Sequence, residues 1–73
     1  MTDQLKRIEK DLKMFEENLS RYSPSSKAEE EILNLAESYY RDARYYLEKG
    51  DLFTAFGCIN YAHGLLDALI KLK

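Results

Sequence analysis

Tryptophan is absent from this 73-residue chain, and cysteine, histidine and proline occur once each. A single Cys closes no internal disulfide, which excludes a disulfide-stapled scaffold. One His and one Cys do not make the four-ligand set of a tetrahedral zinc centre, so no metal is expected, and no cofactor. Three Gly in the whole chain exclude a collagen-like repeat. Long apolar runs are missing as well. The longest stretch without Asp, Glu, Lys or Arg is Leu52 to Leu66, fifteen residues broken by Thr54, Gly57, Asn60, His63 and Gly64. A membrane-spanning helix needs about 20 predominantly apolar residues, so no membrane partner is expected. Met1 to Arg7 carries no apolar leader core. A lone unpaired Cys fits a reducing compartment, and the expected location is the cytoplasm.

What is present is charge of both signs on an apolar frame. Eleven Lys and Arg stand against thirteen Asp and Glu, for a net charge of -2, and 45% of residues are apolar. This is the composition of one folded, charge-mixed domain over residues 1–73. No basic face emerges, so nucleic acid is not an expected partner. A chain this short buries only about 60% of the surface its unfolded form exposes. One core of this size rarely supplies more than about 3–5 kcal/mol. Without disulfide or metal, dense helix packing or self-association has to make up the difference.

The periodicity predicts an all-α, antiparallel three-helix bundle, with helices at about 3–22, 26–49 and 52–72. Leu5, Ile8, Leu12, Phe15, Leu19 and Tyr22 repeat at alternating steps of three and four. Thr2 or Asp3 can cap this first helix, and Pro24 disfavours its continuation at Ser23. Ser26 and Glu29 match a capping box at the start of the second. Ile32, Leu35, Ala36, Tyr39, Ala43, Tyr46 and Leu47 share one face of it. Gly50 supplies a left-handed C-terminal residue and Asp51 caps the third helix at once, which forces a tight antiparallel hairpin. That third helix is unusual. At about 100° per residue its two neighbouring apolar faces cover about two-thirds of the circumference. A three-helix monomer gives it only two neighbours.

The run Tyr46-Leu47-x-x-Gly50-Asp51-x-x-x-Ala55-x-x-x-Ile59-x-Tyr61-Ala62-x-Gly64-x-Leu66-Asp67-Ala68-Leu69 resembles a family of small archaeal helical proteins, domain of unknown function three-five-seven. The resemblance covers the second and third helices, and the first through its heptad character. It implies a helical, cytoplasmic, archaeal protein and brings no activity with it. A looser likeness links Ala43-x-x-Tyr46-Leu47-x-x-Gly50-Asp51-x-x-x-Ala55 to tetratricopeptide hairpins and to the HEPN group of nucleotide-binding proteins and RNases. The RNase motif places four to six residues between Arg and His. Ahead of His63 the positions for that Arg are Phe56, Gly57 and Cys58, so that reading fails.

Three groups of residues are candidates for function. Cys58, Tyr61, Leu65 and Leu72 on the second face of helix three, with Tyr45 on helix two, form a candidate interaction surface. Exposed aromatics are enriched at binding hot spots. Tyr39, Tyr46 and His63 form a candidate small-ligand pocket, His63 being the one side chain that ordinarily titrates near neutral pH. A histidine packed against a Tyr is the commoner outcome for such a residue. Gly57, Asn60, Gly64 and Asp67 form a strip on which another helix can pack closely, since each Gly otherwise costs about 1 kcal/mol in a helix interior. Cys58 reads as a small hydrophobe rather than a reactive thiolate. The expected function is a non-catalytic helical interaction or oligomerisation module. Its partner is a second copy, a dimer being favoured, or another helical protein. The alternative is a ligand-binding or enzyme-accessory protein using the Tyr/His pocket.

Overall fold

The structure is a computed structural model that describes residues 3–72. Thr2, one of the two expected caps, lies outside the described residues. Three helices follow one another: α1 (Asp3–Ser20), α2 (Lys27–Glu48) and α3 (Leu52–Lys71). They pack as an all-α three-helix bundle, 41 Å long and 16 by 15 Å across.

The helix ends follow from local chemistry. α1 stops two residues short of the expected boundary. Arg21 N–H donates to Asn18 O at 3.2 Å and Tyr22 N–H to Leu19 O at 3.1 Å, a tightened final turn. Tyr22 then donates its hydroxyl to Glu29 Oε1 at 2.6 Å. Ser26 caps α2, its Oγ accepting from Glu29 N–H at 3.2 Å. The Glu29 carboxylate also accepts from Ser25 N–H at 3.0 Å and Ser25 Oγ at 3.1 Å. One carboxylate thus gathers the connection between α1 and α2.

At the other end of α2, Gly50 adopts a φ of +83°. Gly50 N–H donates to Leu47 O at 3.1 Å and Asp51 N–H to Tyr46 O at 2.9 Å, the paired bonds of a Schellman closure. Asp51 Oδ1 then accepts from Thr54 N–H at 3.1 Å and starts α3. That hydrogen bonding holds the Asp51 carboxyl below its ordinary pKa.

α2 and α3 form the most extensive pair, and α1 rests mainly on α3. Small residues explain the close pair. Ala36 and Ala43 on α2, and Ala55 and Ala62 on α3, are fully buried and each seven residues apart. Such a seam lets two backbones approach, with Ile59 and Leu66 filling the layers between. Tyr39 of α2 meets Tyr61 of α3 at 4.5 Å between ring centroids, as the antiparallel hairpin requires. α1 runs parallel to α3. Phe56 shares a furrow with Lys6 and Lys10, His63 bonds to Asp11, and Ile70 borders Asn18 and Tyr22. Ile8, Leu12 and Phe15 are the buried positions of α1.

Candidate functional site

The decisive question is which side of α3 is covered by α1. Its inward residues, Ala55, Ile59, Ala62, Leu66 and Leu69, are buried. To one side lie Phe56 and His63, both half-buried. Here α1 is seated: His63 Nε2 is 2.8 Å from Asp11 O, and the ring meets Phe15 edge-on at 5.8 Å. To the other side lie Cys58 and Leu65, half-buried, with Tyr61 51% exposed and Leu72 79% exposed. α1 does not reach these residues' side of α3. Its position beside His63 leaves that flank of the α2–α3 pair open, and Leu35 of α2, 44% exposed, belongs to the same uncovered pair.

The strip of Gly57, Asn60, Gly64 and Asp67 faces outward, all four residues exposed. A Cβ built on Gly57 or Gly64 would meet nothing within 4 Å. The close packing expected there is therefore not made by any helix of this chain, because α1 and α2 occupy the other sides of α3. At the N-terminal end of the strip Phe53 is 85% exposed. A shallow hollow of about 350 Å³ over Gly57 is lined by Tyr39, Phe53, Thr54, Phe56 and Cys58.

Tyr45 separates from this group. Its furrow is shared with Tyr40, Arg41, Arg44 and Glu48, on the charged outer side of α2. Lys49 Nζ lies 5.4 Å from the centroid of its ring.

Tyr39, Tyr46 and His63 have three different ring neighbours. Tyr39 meets Tyr61, Tyr46 meets Tyr45 at 5.1 Å, and His63 meets Phe15. Tyr40, one residue on from Tyr39, is the tyrosine on the α1 side. It stacks on Phe15 at 5.0 Å and 15°, so Phe15 links Tyr40 to His63. Its hydroxyl donates to Glu16 and accepts from Arg44 at 3.4 Å. Burial raises the Tyr40 pKa, the Glu16 hydrogen bond adds to the rise, and Arg44 opposes it. Sequence reasoning grouped His63 with Tyr39 and Tyr46. The signal it missed is that neighbouring helix residues differ by about 100° in direction, enough to send Tyr39 and Tyr40 to opposite flanks of the hairpin.

Cys58 carries a thiol whose pKa is raised by burial first and then by the charges of Asp42 and Asp51. It stays protonated at neutral pH and is a poor nucleophile. Among the described residues no cluster of three or more His, Cys, Asp or Glu is placed to hold a metal ion. None of the described helices is long and apolar enough to cross a membrane.

An up-down-up bundle closed by Gly50-Asp51, with Gly64 and Asp67 on the outer strip of α3, carries the signature read from the sequence. Residues 5–73 match the family described as Protein of unknown function (DUF357). The chain belongs to this family. The DUF357 match takes in nearly all of α1 as well as the hairpin, so the first helix is part of the family's common unit rather than an appendage. No curated protein matches the chain. The DUF357 description names no activity.

Proposed function

We propose that this DUF357 chain is a non-catalytic helical interaction module. It docks a helical surface on the flank of the α2–α3 pair turned away from α1. One observation carries the reading: α1 sits on the His63 side of α3, and Tyr61, Leu72 and Phe53 remain 51%, 79% and 85% exposed on a helix whose charged residues are Asp67 and Lys71 alone. Scattered apolar residues are normal on a protein surface, but a contiguous apolar face on one helix marks an interaction site. Tyr61 is a suitable anchor. It is held by Tyr39, so little side-chain freedom is lost on binding, and it joins an apolar ring to a polar tip.

The proposed setting is the cytoplasm, supported by the single protonated, unpaired thiol of Cys58. A ligand pocket built from Tyr39, Tyr46 and His63 has less support, since their rings turn to different neighbours and His63 is already engaged with α1.

Photo-crosslinking in the native cells tests the module reading. A photoreactive analogue at Tyr61 is expected to give a discrete adduct, and the same group at exposed Lys13 on α1 is expected to give none. Equal, diffuse labelling from both positions would remove the case for a docking face.

A further inference from the structure

Helix α3 carries two seams of small residues, and only one is filled. Ala55 and Ala62, seven apart, are buried against α2. Gly57 and Gly64, also seven apart, follow two residues later, about 200° round the helix at about 100° per residue. They have empty space where a Cβ would sit. The first seam shows how this helix receives a neighbour at close range. The second is bordered by Phe53, Tyr61 and Leu72, three of the most exposed large apolar side chains.

We infer that the occupant of this second seam is another copy of the same chain, paired through α3 about a two-fold axis with the two α3 helices antiparallel. This rests on the interaction reading above and names its partner. Three observations favour a second copy.

The first is reciprocity of size. With the axis between Asn60 and Tyr61, Gly57 lies against the partner's Gly64, and Phe53 lies against the partner's Ala68. Bulk meets absence of bulk at both ends, and the two Tyr61 rings come together at the centre. Gly57, Asn60, Tyr61 and Gly64 stand at i, i+3, i+4 and i+7, the four corners of a hole that accepts a side chain from a facing helix. Two glycines make that hole deep enough for an aromatic ring.

The second is charge. Asp51 and Lys71 are exposed at opposite ends of α3. The antiparallel register sets Lys71 level with the partner's Gly50–Asp51 turn, twice by symmetry, and Asp67 level with the partner's Thr54. A parallel pair would set Lys71 on Lys71, Asp51 on Asp51 and Phe53 on Phe53.

The third is area. The α3 face that would be covered runs over 20 residues, about 30 Å at about 1.5 Å each, on a rod 16 Å wide. With side-chain relief this is of the order a stable interface takes from each partner, about 800 Å². A two-fold contact of this kind is closed, so it stops at a dimer.

Sedimentation equilibrium of the full chain, from low to high micromolar concentration, is the test. The expected mass is twice the 8.6 kDa of one chain. Gly57→Leu and Gly64→Leu place a side chain in space that is open in the single chain, so both are expected to keep their helical circular dichroism. Both should weaken association by at least about 30-fold, the scale of one hot-spot residue. A wild-type dimer that persists in both folded variants would overturn the proposal. If either variant loses its helical signal, Phe53→Lys replaces it, at a position too exposed to matter for folding, and a dimer surviving Phe53→Lys would overturn the proposal equally. For the register, Phe53→Cys and Ala68→Cys chains, each also carrying Cys58→Ser, are mixed and oxidised. The mixed disulfide should dominate, and a majority of Phe53→Cys self-pairs would reject the antiparallel arrangement. A wild-type chain of single mass at every concentration rejects the second copy. The Tyr61 photo-adduct separates this failure from that of the wider reading, since a product whose mass is not two chains leaves the docking face standing.

Discussion

The Nε2 atom of His63 lies 2.8 Å from the carbonyl oxygen of Asp11, across the junction of α3 and α1. A carbonyl only accepts, so Nε2 carries the proton and donates. The bond fixes α1 at one height and on one flank of α3. His63→Ala should therefore loosen α1 and lower stability by about 1–3 kcal/mol, the range for losing a partly buried hydrogen bond together with its ring contact. A urea melt with an unchanged midpoint would show that α1 is held elsewhere.

Phe15 is the fully buried aromatic of α1, stacked on Tyr40 and edge-on to His63. Phe15→Ala is expected to cost about 3–5 kcal/mol, a large share of what a domain of this size possesses. Leu12→Ala, one turn earlier and nearly as buried, should cost about 2–5 kcal/mol. Thermal melts close to wild type for both would mean that α1 is a detachable arm.

The three glycines should respond in opposite directions. Gly50 has a φ of +83°, and Gly50→Ala should destabilise by about 1–2 kcal/mol through left-handed strain. Gly57 and Gly64 sit in a helix with open space around them. Gly57→Ala and Gly64→Ala should each stabilise the dissociated chain by up to about 1 kcal/mol. Chemical denaturation at low protein concentration reads all three, and a loss at Gly57 or Gly64 would mean that something in the chain already packs there.

Tyr22 should titrate late. Burial, then the hydrogen bond to Glu29 and then its charge, push the phenol up to about 12. The folded state thus favours the neutral ring. The associated stability is complete below the unfolded value of about 10 and is lost as pH rises through the folded value. Ultraviolet difference titration of wild type against Tyr22→Phe should assign the missing component to the alkaline end. A component near the ordinary tyrosine value would show that the Tyr22–Glu29 bond does not persist.

The three helices were legible because their signals are local. Ser26, Gly50 and Asp51 act within one turn of themselves, and the stripe from Leu5 to Leu19 sets a face without reference to any other helix. Ser26, Gly50 and Asp51 accordingly appear where sequence reasoning put them. The candidate site was legible only as a list of surplus apolar residues on α3. Which flank α1 would take depends on a contact between residues 52 positions apart, Asp11 and His63, and no pattern in either helix announces it. For the same reason Tyr40 was overlooked in favour of Tyr39, and the end of α1 at Ser20 was missed, since it is set by Glu29 of the next helix drawing in Tyr22.

Hydroxyl-radical footprinting across a dilution series tests the open flank most directly. In dilute solution Phe53, Tyr61 and Leu72 should all be readily oxidised, and Met14, exposed on α1, with them. As the concentration rises, the three α3 residues should become protected together while Met14 stays reactive. Protection of Tyr61 and Leu72 that is already complete at the lowest concentration would mean that α1 covers their side after all. Reactivity that never changes would mean that no second copy docks on the flank.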